Sequence, residues 1–124
     1  MSGAVEEAIV RRELLMSLVF VGVGWSVSTV AWTPDWLVVG ATVTAVAFLL
    51  GAAADRSEAG LWALIGTGVT AMVALVVSMV TNSVPADLLG PSILGMAVGF
   101  GLNRFLFGVV NPVPEVRCRR ESAD

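Results

Sequence analysis

Four long apolar runs, 14–32, 36–54, 60–80 and 88–110, are separated only by short polar breaks. A hydrocarbon core about 30 Å thick is crossed by about 20 apolar residues in a helix, and each run is near that length. Inside a bilayer no water is available to the backbone, so such a run must satisfy its own N–H and C=O groups as a helix. The runs are apolar on every side, unlike a soluble helix with one core-facing stripe. The mean hydropathy of +0.87 agrees with that reading. The sequence thus predicts an all-α, polytopic membrane protein. Its four transmembrane helices fill 14–110, flanked by segments 1–13 and 111–124. Every connection is short, so consecutive helices are expected as antiparallel neighbours in an up-down-up-down bundle.

The arginines orient that bundle. All seven basic residues are arginine. Arg11 and Arg12 precede the first run, and Arg56 lies in the second break. Arg104, Arg117, Arg119 and Arg120 fall at the end of the fourth run or beyond it. The first break, Thr33-Pro34-Asp35, and the third, Thr81 to Asp87 with Pro85, hold no basic residue. The excess of arginine on one side places both termini in the cytoplasm. Trp32 and Trp36 flank the first outer turn and Trp62 opens the third run, at the headgroup levels that indole prefers.

Composition excludes much chemistry. The chain has no histidine and one cysteine, so the usual zinc and haem ligand sets and the Ser/His/Asp or Cys/His nucleophilic groups are missing. The net charge of −3 offers no basic surface for nucleic acid. Gly-x-Gly pairs at Gly22/Gly24, Gly66/Gly68 and Gly99/Gly101 lie inside apolar runs, where a phosphate loop has no place, and read as packing glycines. No catalytic, cofactor-binding or metal-binding residue is expected.

Lipid tails give no hydrophobic push between helices, so stripes of small residues are the expected contact surfaces. Such stripes run through Gly22, Ser26, Thr29 and Thr33; through Gly40, Thr44, Ala47 and Gly51; through Ala63, Thr67, Thr70, Ala74, Ser78 and Thr81; and through Ser92, Gly95, Gly99 and Asn103. Gly95 and Gly99, a Gly-x-x-x-Gly pair, are the candidate helix-packing residues.

One charge falls within a run. Arg104, beside Asn103, is expected either to snorkel to the inner interface as an anchor or, with Asn103, to contact an anion or lipid headgroup. Glu13, Asp35, Asp55, Glu58 and Asp87 all fall outside the runs, which argues against a proton-coupled carrier. Cys118, between Arg117 and Arg119, is expected in a solvated tail, where positive neighbours favour the thiolate. The expected function is that of a non-enzymatic accessory or scaffold component of the cell membrane. The alternative is an oligomeric small channel, holin-like pore or carrier. The expected partners are the lipid bilayer and either another copy of the chain or a second membrane protein, with no nucleic acid.

Overall fold

The computed structural model describes residues 3–30, 32–82 and 86–123, all of whose regular structure is helical. In chain order the α-helices are α1 (Gly3–Val30), α2 (Trp36–Arg56), α3 (Glu58–Thr81), α4 (Leu89–Arg104) and α5 (Glu115–Ala123). A short 3-10 turn, Ala86–Leu88, leads into α4, and a π-helical segment, Phe105–Val110, extends it. Four stretches, Gly3–Val30, Trp36–Arg56, Glu58–Thr81 and Leu89–Val110, are long and apolar enough to cross a membrane. Large apolar side chains point outward along all of them, Val30 and Val80 being 89% and 81% exposed. That is the surface a bilayer solvates and water does not.

Helical hydrogen bonding outruns hydropathy at both edges that matter later. The first two runs were bounded at Leu14 and Ala54, yet α1 begins eleven residues earlier, at Gly3, and α2 continues through Asp55 to Arg56. Glu13 and Asp55 are therefore helical residues, not loop residues. The segment after the fourth run is also ordered. Pro112 and Pro114 break the chain, then α5 starts, with Pro114 accepting the first N–H groups at 3.0 and 3.2 Å. Of the outer-turn residues, Ser83, Val84 and Pro85 lie outside those described.

The reversal between α2 and α3 is a single residue, Ser57, in extended conformation. Its hydroxyl accepts from the Gly60 N–H at 2.9 Å, a side-chain N-cap. Gly60 lies so close to the Ala53 carbonyl that any Cβ there would collide with it, so glycine is required. At its other end α3 closes on Asn82 in the left-handed conformation, φ 55°, a position that asparagine tolerates better than most residues.

The chain passes up, down, up and down, but the helices do not pack in sequence order. The central helix is α4, which lies against both α1 and α2, whereas α1 and α2 share no extended contact. The third helix rests on α2. The expectation that consecutive helices are neighbours thus holds for α2 and α3 and fails for α1 and α2 and for α3 and α4. The reason is steric: α4 is the helix with glycine on two faces. Toward α1, Gly90 meets Ser28 and Gly101 meets Ser17, while Gly24 of α1 admits the Leu94 backbone, whose N would lie 2.8 Å from a Cβ. Toward α2, a Cβ on Gly95 would stand 2.7 Å from the Gly40 carbonyl, and one on Gly99 2.5 Å from that of Thr44. The partners pair in opposite order along α1 and in the same order along α2. The α1–α4 seam is thus antiparallel and the α2–α4 seam parallel.

Not every small-residue stripe is a seam. In α1 the buried residues are Ile9, Gly24 and Ser28, while Gly22 faces open space and Ser26 bonds back to the Gly22 carbonyl. In α3 the only buried residue is Gly60, and Gly66 and Gly68 would meet nothing if given a Cβ.

These differences predict opposite outcomes for one type of substitution. Gly99→Leu must force the α2 and α4 backbones apart and should lower the thermal midpoint in mild detergent by an amount equivalent to about 2 kcal/mol or more. At Gly66 a Cβ meets no atom, and leucine improves helix propensity, so with Gly66→Leu the midpoint should hold or rise. Thermal unfolding followed by helical circular dichroism checks both.

Candidate functional site

The start of α1, the ends of α2 and α4, and the whole of α5 converge at one end of the molecule. Arg12, Arg104 and Arg117 share carboxylate partners there, and Arg56 and Arg120 lie at the same end. Arg104 is at the centre and is 2% exposed. Its Nε donates to Glu13 Oε2 at 2.7 Å, and one terminal nitrogen donates to Asp55 Oδ2 at 2.6 Å. The other terminal nitrogen donates to the Phe107 carbonyl at 3.3 Å.

That carbonyl is available for a local reason. Phe107 leaves helical geometry, at φ −112° and ψ 49°, inside the π-helical segment. Its carbonyl leaves the regular ladder and needs a donor. Arg104 supplies it. The Phe107 ring is held in turn beneath the Arg56 guanidinium, 4.2 Å from its centroid, at cation–π distance.

The expectation that Arg104 anchors the helix by snorkelling is therefore corrected. Its side chain does not reach for the interface; it turns into the protein, because Glu13 and Asp55 lie at its own depth. A buried arginine with no carboxylate in reach would have to extend to water or lose its hydration without return. The fork that an external anion or headgroup would grip holds two carboxylates of the chain itself.

Around this pair the network widens. A terminal nitrogen of Arg117, on α5, reaches both Glu13 Oε1 at 2.5 Å and Glu121 Oε1 at 2.9 Å. Arg12 binds Glu121 at 2.8 Å. Arg120 donates to the Ala54 carbonyl at 2.9 Å, at the C-terminal end of α2. Glu6 accepts the Val113 N–H at 3.1 Å and pins the stretch before α5 against α1. Ile9, Val113 and Cys118 form a small apolar cluster beneath these contacts.

Cys118 is thus not a solvated tail residue. Burial raises its thiol above the ordinary range, the nearby Glu6 carboxylate adds to that, and Arg104 and Arg117 only partly oppose it. Desolvation outweighs the neighbouring positive charge. Glu121 moves the other way: its bond to Arg12 holds the carboxyl below the usual carboxylate range, helped by Arg117.

Asn103 is 3% exposed and lies beside Asp55, to whose Oδ2 its amide nitrogen makes a long contact of 3.5 Å. Its carbonyl oxygen is buried and has no partner, and the same is true of Arg117 Nε. A Cβ on Gly51 would stand 3.2 Å from the Asn103 amide nitrogen, so the glycine is what lets this side chain sit against α2. Gly95 and Gly99, placed in the α2–α4 seam, touch no part of this charged end. Among the described residues no cluster of carboxylates, histidines or cysteines is arranged to hold a metal ion.

The arrangement is an interlocked set of ion pairs joining four helices, partly closed to water. Sequence reading missed Glu13 and Asp55 because each stands one residue outside a hydropathy boundary. The available signal was their charge, opposite to that of Arg104 and at the same end of the bundle. No protein-family model, curated protein or solved structure matches this chain.

Two predictions follow from these contacts. Arg104→Leu leaves Glu13 with Arg117 alone and buried Asp55 with only the 3.9 Å approach of Arg117, and should cost about 3–5 kcal/mol of stability. Arg104→Lys keeps the charge but cannot serve three acceptors with a planar fork, so it too should unfold at lower temperature than the parent. Thermal unfolding in detergent reads both, and an unchanged midpoint for Arg104→Lys would restore the snorkelling anchor.

Glu121 gives a pH dependence. Because its carboxyl is held low in the folded state, its contribution is fully present above the ordinary carboxylate range. It is lost as pH falls through the depressed value. Melting profiles should show an acid loss that is smaller in Glu121→Gln, and at neutral pH that variant should let a thiol reagent reach Cys118 faster.

Proposed function

We propose that this chain is a non-enzymatic accessory or scaffold component of the cytoplasmic membrane, with both termini on the cytoplasmic side, acting through its helix faces. The observation that carries the reading is α3. It runs for 24 residues, rests on α2, and buries none of its own residues beyond Gly60. Its outward surface carries large apolar residues such as Val69, Val73 and Val80 and, beside them, a stripe of small and hydroxyl residues. Ala63, Thr67, Thr70 and Ala74 are all exposed along it, and Gly66 and Gly68 leave its backbone open. Small and hydroxyl residues in membranes favour close helix contact, so this helix is suited to a second membrane protein or another copy of the chain.

The orientation is supported by where the arginines gather. The charged end holds Arg12, Arg56, Arg104, Arg117 and Arg120, and that end faces the cytoplasm by the positive-inside rule. At the opposite end Trp32 and Trp36 stack with centroids 5.6 Å apart. That placement suits an outer headgroup belt.

Cysteine labelling in intact cells tests the orientation, in a Cys118→Ser background. An impermeant reagent added outside should modify Asp35→Cys and Asp87→Cys and leave Ser57→Cys unmodified; the reverse pattern overturns it. A photo-crosslinking residue at Thr70 tests the helix-face role. Crosslinks to a defined protein partner, or to a second copy, are expected at Thr70 and not at Val30. Crosslinks to lipid alone at both positions, or solute flux through the purified chain in vesicles, would remove the accessory reading.

A further inference from the structure

Above the charged end lies a cavity of about 340 Å³, lined by α1, α2, α3 and α4 and closed at the bottom by Arg117 of α5. This is at the small end of the range for ligand sites, roughly 300–1,000 Å³. Its lining divides in two. Toward the middle of the molecule it is hydrocarbon and thioether, with Phe20 from α1, Leu64 from α3, and Met96 and Phe100 from α4. Toward the charged end it is polar, with Glu13, Asp55, Asn103, Arg104 and Arg117.

The polar end fixes the charge of what fits. Its titratable side chains are two arginines and two carboxylates, already joined as ion pairs at 2.5–2.7 Å. A charged head would enter a partly closed network whose charges are already paired, with no counter-charge free to meet it. A neutral head meets no such penalty. Two atoms remain for it: Asn103 Oδ1, an acceptor, and Arg117 Nε, a donor, both buried and both without a hydrogen-bond partner. Arg117 Nε stands 3.9 Å from Asp55 Oδ1, beyond bonding distance. A hydroxyl both donates and accepts, and so matches either atom.

We propose that this cavity binds a neutral single-chain amphiphile, with its hydroxyl head among Asn103 and Arg117 and its hydrocarbon body between Phe20, Met96 and Phe100. The site is asymmetric in the same sense as the membrane. Its polar end lies with the arginines and its apolar end toward the bilayer interior, so a lipid-soluble alcohol of the leaflet nearest the arginines would enter head-aligned. The geometry makes the head group selective and the tail permissive, because methionine walls adapt to a chain while Asn103 is held by burial and Arg117 by its ion pairs.

The probe is 1-decanol, added to the purified full chain in mild detergent, with decane, decanoate and decylammonium at the same concentrations as controls. Decanol should raise the melting temperature saturably, by about 4 °C or more, and the three controls should not. Asn103→Leu removes the buried acceptor while leaving the Arg104–Asp55 bond; it should weaken the apparent decanol affinity about tenfold or more. Leu64→Trp, on the least constrained wall, narrows the apolar end of the cavity and should sharply weaken the response. An equal response to decane would show an apolar void with no head-group site. No response to decanol, or one that survives both substitutions, would also overturn the proposal.

Discussion

The Arg104 guanidinium, held by Glu13 and Asp55, is the constraint from which the rest of the charged end follows. It ties α1 to α2 through the helix that separates them. A guanidinium at this depth is tolerable only with carboxylates alongside, and carboxylates there are tolerable only with the guanidinium. Each group is therefore the condition for burying the others. Arg117 extends the same logic to α5, whose nine residues have little apolar surface of their own and are held by ion pairs and by the Ile9, Val113 and Cys118 cluster.

At the other level of organisation, glycine decides which helices touch. Toward both partners, α4 presents positions where a side chain is sterically impossible, and it is consequently the helix that sits between α1 and α2. Backbones so close gain dispersion contacts and weak Cα–H···O bonds along their whole length, and dispersion and polar contacts drive association where hydrophobicity does not. The ion-pair end and the glycine seams thus act at different depths and by different forces. The first sets which end of each helix meets which. The second sets how closely they run.

The third helix stands apart from both mechanisms. It is fixed by the one-residue turn at Ser57 and by the Gly60–Ala53 approach, and beyond that it contributes a wall to the cavity and an open face to the membrane. The proposed accessory role and the amphiphile site both depend on this incompleteness: a fourth helix packed into a closed bundle would leave neither the face nor the space.

Residues near one another in sequence were enough to establish four apolar helices, their alternating direction and the gathering of arginine at one end. Length, hydropathy and charge are properties of a run read by itself, and the bilayer imposes helix on any such run. The small-residue periodicity in α2 and α4 was equally visible, but so was the one in α3 that packs against nothing, because periodicity marks a face and not its partner. What only the tertiary structure decided is the order of packing and the fate of Arg104. Its two carboxylates lie 91 and 49 residues away along the chain. A charge read alone in an apolar run looks like one that must escape to water. Once α4 lies between α1 and α2, its counter-charges are within 3 Å, and burial becomes the lower free-energy state.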